Sequence, residues 1–150
     1  MTYEQIQARY PELVLGLVKH PGIGFVLVDS AEHGPMAMGK HGIHFLADGK
    51  IEGADPLAVF GANAAMHLRR YSGFSNSPDL LLNTSYDPET QEIPGFEDQV
   101  SHHGGLGGPQ CHPFLLYPST FPIGMEPIVT AFSLHNLLHG WRDSVQPPNS

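Results

Sequence analysis

The sequence is poor in several groups that commonly reveal a function. It has one cysteine, Cys111, so an internal disulfide and any Cys-pair metal motif are excluded. A single thiol fits a reducing compartment. Seven residues are Lys or Arg against fifteen Asp or Glu, a formal net charge of −8. A protein that grips a phosphate backbone needs a basic surface, and this composition argues against groove-bound nucleic acid. No apolar run approaches the ~20 residues that cross a bilayer, so no membrane segment is expected. The stretch Met1 to Tyr10 is polar and lacks the basic-then-apolar pattern of a signal peptide. The default compartment is therefore cytoplasmic, with that of a longer parent left open.

What is present is a foldable chain with an unusual number of histidines. Of 150 residues, 41% are hydrophobic, enough to form a core rather than a disordered polypeptide. The ten histidines matter because a neutral imidazole is the commonest metal ligand near pH 7.

The local pattern mixes helices and strands. Thr2 followed by Gln5 forms a capping box for a first short helix. Leu13, Val14, Leu17 and Val18 give one apolar face to a second, from about Pro11 to Lys19, closed by His20-Pro21-Gly22. Phe25 to Val28 is a continuous run of β-formers, as in a buried strand. Met36 to Leu46 reads as two or three short strands with glycine turns. Asp48-Gly49 then signals a hairpin, with Lys50-Ile51-Glu52 as the returning strand. Asp55-Pro56 is an N-cap with proline at the first helical position. The apolar positions Leu57, Phe60, Ala64, Leu68 and Tyr71 extend a helix from it. Asp79 to Asn83 reads as another buried strand, and Phe114 to Tyr117 as a final one. Pro127 opens a last helix with Ile128, Ala131, Leu134, Leu138 and Trp141 inward. The expectation is one α/β domain over 1–145 with a mixed sheet, followed by a disordered tail, 146–150.

Residues 84–113 are rich in Gly, Pro, Asp and His with little periodicity, and long irregular stretches in compact domains are often functional. Their centre is Ser101-His102-His103-Gly104-Gly105-Leu106-Gly107-Gly108-Pro109-Gln110. Gly104, Gly105, Gly107 and Gly108 let the backbone approach another group closely. Two readings compete: a metal-ligating histidine at the lip of a glycine loop, or a solvent loop with histidines in its turns. A P-loop is excluded because no Gly-Lys-Ser/Thr follows. No Gly-x-Ser-x-Gly elbow and no His-Glu-x-x-His occurs. His135 and His139 share a helix face and read as a surface pair without a third ligand. His41 and His44 would face opposite sides of a strand. Thr84 and Ser85 lack an evident base, Asp87-Pro88-Glu89-Thr90 reads first as a turn, and Cys111 as a passive thiol.

Several phrases together carry a resemblance. They are His20-Pro21-Gly22-Ile23-Gly24-Phe25-Val26-Leu27-Val28, Glu32-His33-Gly34-Pro35, Gly42-Ile43-His44-Phe45-Leu46, Tyr86-Asp87-Pro88-Glu89-Thr90 and His103 to Gln110. Across roughly Thr2 to Trp141 the chain resembles the C-terminal part of bacterial proteins of the alkaline phosphatase superfamily, in the type I phosphodiesterase/nucleotide pyrophosphatase-like branch. The resemblance implies the C-terminal portion of an α/β/α sandwich whose sheet edge carries two divalent ions, zinc or manganese. It assigns His103 as the family's last histidine ligand, makes His102 a neighbour, and leaves Glu32-His33 a weaker match to the family's Asp-His-Gly pair. It places the nucleophile and the other ligands upstream of the matched segment. The implied function is a metal-dependent phosphoester hydrolase, incomplete in this chain, and an incomplete fold of this kind is expected to expose an apolar edge or face that self-association or a complementary chain buries. Two alternatives remain: a non-catalytic binding or scaffolding domain, and a small metal-binding module built on His102, His103, His112 and a carboxylate.

Overall fold

The computed structural model describes residues 1–98 and 105–145. The chain divides into two compact units, Met1–Pro113 and Phe114–Ser150. The first holds a five-stranded sheet. Its strands are β1 (Ile23–Ser30), β2 (Gly34–Gly39), β3 (Gly42–Phe45), β4 (Ile51–Gly53) and β5 (Leu80–Thr84), in the order β4-β3-β2-β1-β5.

Every pairing is antiparallel, which corrects the expected mixed sheet. The reason lies in the connections. Three residues join β1 to β2, two join β2 to β3 and five join β3 to β4; links this short permit only hairpins. The tightest approach is at the far edge, where Gly42 pairs with Gly53. A Cβ on Gly42 would overlap the carbonyl oxygens of Glu52 and Ala54, so only glycine closes this pair.

Helices lie on both faces of the sheet. On one side α1 (Tyr3–Arg9) and α2 (Leu13–Lys19) bring Ile6, Val14 and Val18 against Val26, Val28, Met36, Met38 and Phe45. On the other, α3 (Ala64–Ser72) and the loop before it bring Leu57, Phe60, Ala64 and Leu68 against Phe25, Leu27, Ala37 and Leu46. Adjacent β1 residues therefore serve opposite cores, as the two-residue period of a strand requires. Both sides of β1 are buried, which explains its continuous apolar run. Phe25 is fully buried and meets Phe60 edge-on, with ring centroids 5.1 Å apart; this arrangement suits the ring quadrupoles.

The first helix starts as expected. The Thr2 amide donates to Gln5 Oε1 at 3.0 Å, and the Ile6 amide to the Thr2 carbonyl at 2.9 Å. The expected helix from Asp55 is shorter in fact. Asp55 does not cap a helix: its Oδ1 accepts from the Leu57 amide at 2.9 Å and lies 3.0 Å from His44 Nδ1. Gly61, at φ +98°, then breaks the path, and the helix begins at Ala64. Leu57 and Phe60 are still buried, so the apolar positions were identified and their conformation was not.

In the second unit α4 (Ala131–Val145) starts four residues beyond Pro127. Trp141 is its buried residue, stacked on Tyr117 at 5.1 Å and donating from Nε1 to the Pro122 carbonyl at 2.7 Å. Phe114 to Tyr117 is not a strand. An apolar run becomes a strand only when a neighbour takes its hydrogen bonds, and among the described residues none does. Among the described residues no helix is long and apolar enough to cross a membrane. The expected tail, 146–150, lies outside the described residues.

Candidate functional site

The glycine-rich segment is docked at the end of β5 by a buried asparagine. Asn83 and Thr84 are its buried polar residues. Asn83 Oδ1 accepts from the Leu106 amide at 2.8 Å, and Nδ2 donates to the Leu106 carbonyl at 3.3 Å and the Thr84 carbonyl at 2.9 Å. One side-chain amide thus pairs with both backbone groups of Leu106 as a neighbouring strand would, and it satisfies polar groups that would be costly to leave bare.

The glycines explain why the segment fits. Gly107 and Gly108 have φ of +110° and +65°, a region that L side chains avoid. A Cβ on Gly107 would sit 3.1 Å from the Tyr86 ring and 3.2 Å from Phe60. Gly105 faces Asn83 Oδ1, 3.4 Å from where a Cβ would be. Leu106 packs into the core cluster shared by Phe25 and Phe60. Pro109–Cys111 then forms one 3-10 turn. Cys111 Sγ accepts from the Gly107 amide at 3.1 Å and lies 3.5 Å from its carbonyl. The exposed thiol closes this turn.

This wiring limits what the loop does chemically. The amides of Leu106 and Gly107 are spent on Asn83 and Cys111, so they are not free donors for an anion. In the described part of the segment these two bonds hold the chain against β5 and its own 3-10 turn. The assigned ligand His103, with His102 and Gly104, lies outside the described residues.

His33 is elsewhere. Glu32 and His33 form the turn between β1 and β2, where their amides donate to Ser30 Oγ at 3.1 and 3.0 Å. The His33 ring packs on Phe45 at 5.1 Å, beside a pocket of about 310 Å³ that Asp48, Lys50 and Glu52 also line. Asn83 and Thr84 pair with Phe25 and Ile23 at the opposite end of β1. At ~3.3 Å per residue the two ends of that strand lie ~20 Å apart. His33 and the described glycines Gly105, Gly107 and Gly108 therefore belong to separate places.

Several other candidates have local partners. Asp87 Oδ1 accepts from the Glu89 amide at 2.8 Å and the Thr90 amide at 3.4 Å; these bonds, that from Glu89 foremost, hold its carboxyl below the usual range. That is the turn read from the sequence. The His135 and His139 rings lie 5.7 Å apart on α4. His139 Nε2 accepts from Arg142 at 2.6 Å, and its Nδ1 lies 3.0 Å from Asp143. Hydrogen bonding from Arg142 is the main cause of a lowered Asp143 carboxyl. Two residues were underrated. Asn83 gave only the weak signal of an amide ending an apolar run. His44, paired with Asp55 at 3.0 Å, is largely buried, and a spacing rule on a strand does not reveal a partner eleven residues away.

Among the described residues, no group of three or more His, Cys, Asp or Glu side chains is placed to hold a metal ion. No family model matches the chain, and neither does any curated protein or solved structure.

Proposed function

We propose that this chain is the C-terminal portion of a metal-dependent phosphoester hydrolase of the alkaline phosphatase superfamily, of the type I phosphodiesterase/nucleotide pyrophosphatase-like branch. In this reading His103 is one ligand of a zinc or manganese centre, and the nucleophile and remaining ligands come from a complementary polypeptide. The observation that carries it is the docking of Leu106 on Asn83, which anchors the chain three residues after His103 to the end of a core strand. A metal ligand needs such rigid support, because coordination tolerates little positional error. Helices on both faces of the sheet fit part of an α/β/α sandwich. Two ions, when bound, would stabilise the attacking and leaving oxygens of an in-line displacement; this chain's share is the positioning of one imidazole. A non-catalytic binding domain is the second reading, favoured by the bare side chains of Phe114 and Met125.

The test is hydrolysis of an aryl phosphodiester with added zinc or manganese, by the chain alone and with a polypeptide carrying the family's upstream half. The expected result is no turnover alone and metal-dependent turnover in the complex. His103→Ala should abolish that turnover and leave the melting temperature unchanged. Turnover that survives His103→Ala overturns the assignment. Absence of turnover in a folded, metal-loaded complex supports the binding domain.

A further inference from the structure

The two edges of the sheet are built differently. The β4 edge has three exposed residues, between Lys50 and Gly53, with Lys50 bridged to Glu52 at 2.6 Å. A short, charged edge of this kind repels further strands. At the other edge β5 carries Leu80, Leu81 and Leu82, all half-buried, with no charge and no proline. Among the described residues their β-partner is β1. Among the described residues, no hydrogen bond outside that ladder involves the backbone of these three leucines. An edge strand directs alternate N–H and C=O groups outward, and among the described residues nothing pairs with those of the three leucines.

We propose that the β5 edge is a homodimer interface, closed by β5 of a second copy in antiparallel register about a two-fold axis at Leu81. The register follows from the sequence of the strand. Centring on Leu81 sets Leu80 opposite the copy's Leu82, Leu81 opposite itself, and Asp79 opposite Asn83. Each apolar residue meets an apolar residue, and no like charges face one another. The faces also agree. Leu80 and Leu82 pack on the α1–α2 side and Leu81 on the α3 side, and an axis perpendicular to the sheet keeps each side with its counterpart. The result is one ten-stranded antiparallel sheet. A five-residue edge is small beside the roughly 800 Å² that each partner contributes to a standard interface, and −8 on each chain opposes association. The dimer is therefore weak, and salt strengthens it by screening the like charges. This inference goes beyond the hydrolase reading and holds or fails without it.

The test uses the whole chain. Sedimentation across a concentration series should show a monomer–dimer equilibrium that tightens with salt and weakens tenfold or more in Leu81→Lys. Because Leu81→Lys can also disturb the fold, a second variant reads the register directly. In a Cys111→Ser background, Leu81→Cys places two cysteines directly opposite, with backbones ~5 Å apart, a separation that a disulfide can bridge. Oxidation should cross-link it to a dimer, whereas Ile51→Cys on the other edge in the same background should stay monomeric. A chain monomeric throughout the series overturns the proposal. So does a dimer that forms equally in Leu81→Lys, or cross-linking through Ile51→Cys and not Leu81→Cys.

Discussion

The two units spend their apolar residues in opposite ways. Met1–Pro113 sorts them into two buried clusters, one on each face of the sheet. Phe114–Ser150 buries Trp141 and leaves Phe114 93% exposed, Leu116 90% and Met125 fully so. Apolar content is therefore not what separates them. The first unit has a sheet, whose period of two delivers every second side chain to a core. Among its described residues the second has one helix and no strand pairing, and a single helix cannot cover all the apolar side chains beside it. The lesson is that a core is a property of pairing. The sequence of 114–141 is as apolar as a core segment, yet most of it has nothing to pack on within its own unit.

The largest expected effects sharpen this contrast. Phe25 on β1 is fully buried against Phe60, so Phe25→Ala should cost about 3–5 kcal/mol and remove the main unfolding transition. Trp141→Ala removes a side chain that contacts Tyr117, Phe121 and the Pro122 carbonyl. The same substitution size should here melt α4 alone, leaving the sheet's transition in place. Calorimetry with hydrogen exchange checks both. Loss of the sheet's transition in Trp141→Ala would show that the contrast is false and that the units fold together.

Next in size is Asn83→Ala, which asks whether the glycine segment belongs to the first unit's cooperative core. It deletes the amide that pairs with Leu106 and leaves buried backbone groups unsatisfied, at about 1–3 kcal/mol. The Leu106 and Gly107 amides should exchange far faster while those of β1 and β2 stay protected. Equal acceleration everywhere would instead make the segment part of the global unfolding unit.

Much of the first unit was legible because its signals are local. The Thr2–Gln5 reach-back, the β-forming run from Phe25 and the Asp48-Gly49 turn each operate within a few residues. The errors arose where a distant partner decides. Asp55 has the side chain of an N-cap, but His44 and the Leu57 amide claim it. Phe114 to Tyr117 has strand composition and no strand beside it. The mixed sheet was expected from the alternation of strands and helices, although links of two to five residues already required hairpins. At the candidate site, the glycines at 107 and 108 were read correctly as permitting close approach. What they approach, Tyr86 and Phe60, and the asparagine that holds the segment, were not visible. The assigned ligand His103 lies outside the described residues and rests on the resemblance.

A smaller effect sets the acid limit of the first unit. Glu4 on α1 accepts from the Ala31 amide at 2.9 Å and Ser30 Oγ at 2.6 Å, tying the helix to the end of β1. The backbone bond from Ala31 is the larger cause, with the Ser30 hydroxyl second, and its pKa falls from 4.5 to about 2. A folded pKa below the unfolded one favours the ionised, folded form. This contribution is complete above about pH 4.5 and is lost as pH falls towards 2. Glu4→Gln should flatten the stability profile of the sheet between those values and leave the α4 region unaffected. An unchanged acid limb would show that the bonds from Ser30 and Ala31 contribute nothing to folding.

The smallest effects have the opposite sign. Gly16 lies within α2 and Gly140 within α4, and a Cβ at either would meet no atom within 4 Å. Neither has a positive φ. Each costs its helix conformational entropy without allowing any close approach, so alanine should stabilise by about 0.5–1 kcal/mol. The two sites report on different units. Gly16→Ala should slow exchange through the α1–α2 side of the sheet, because α2 packs into that core. Gly140→Ala should slow exchange in α4 alone, since Trp141 is the buried residue that anchors this helix. If Gly140→Ala protects the sheet as well, stabilising free energy passes from one unit to the other, and the division at Pro113 is geometric and not energetic.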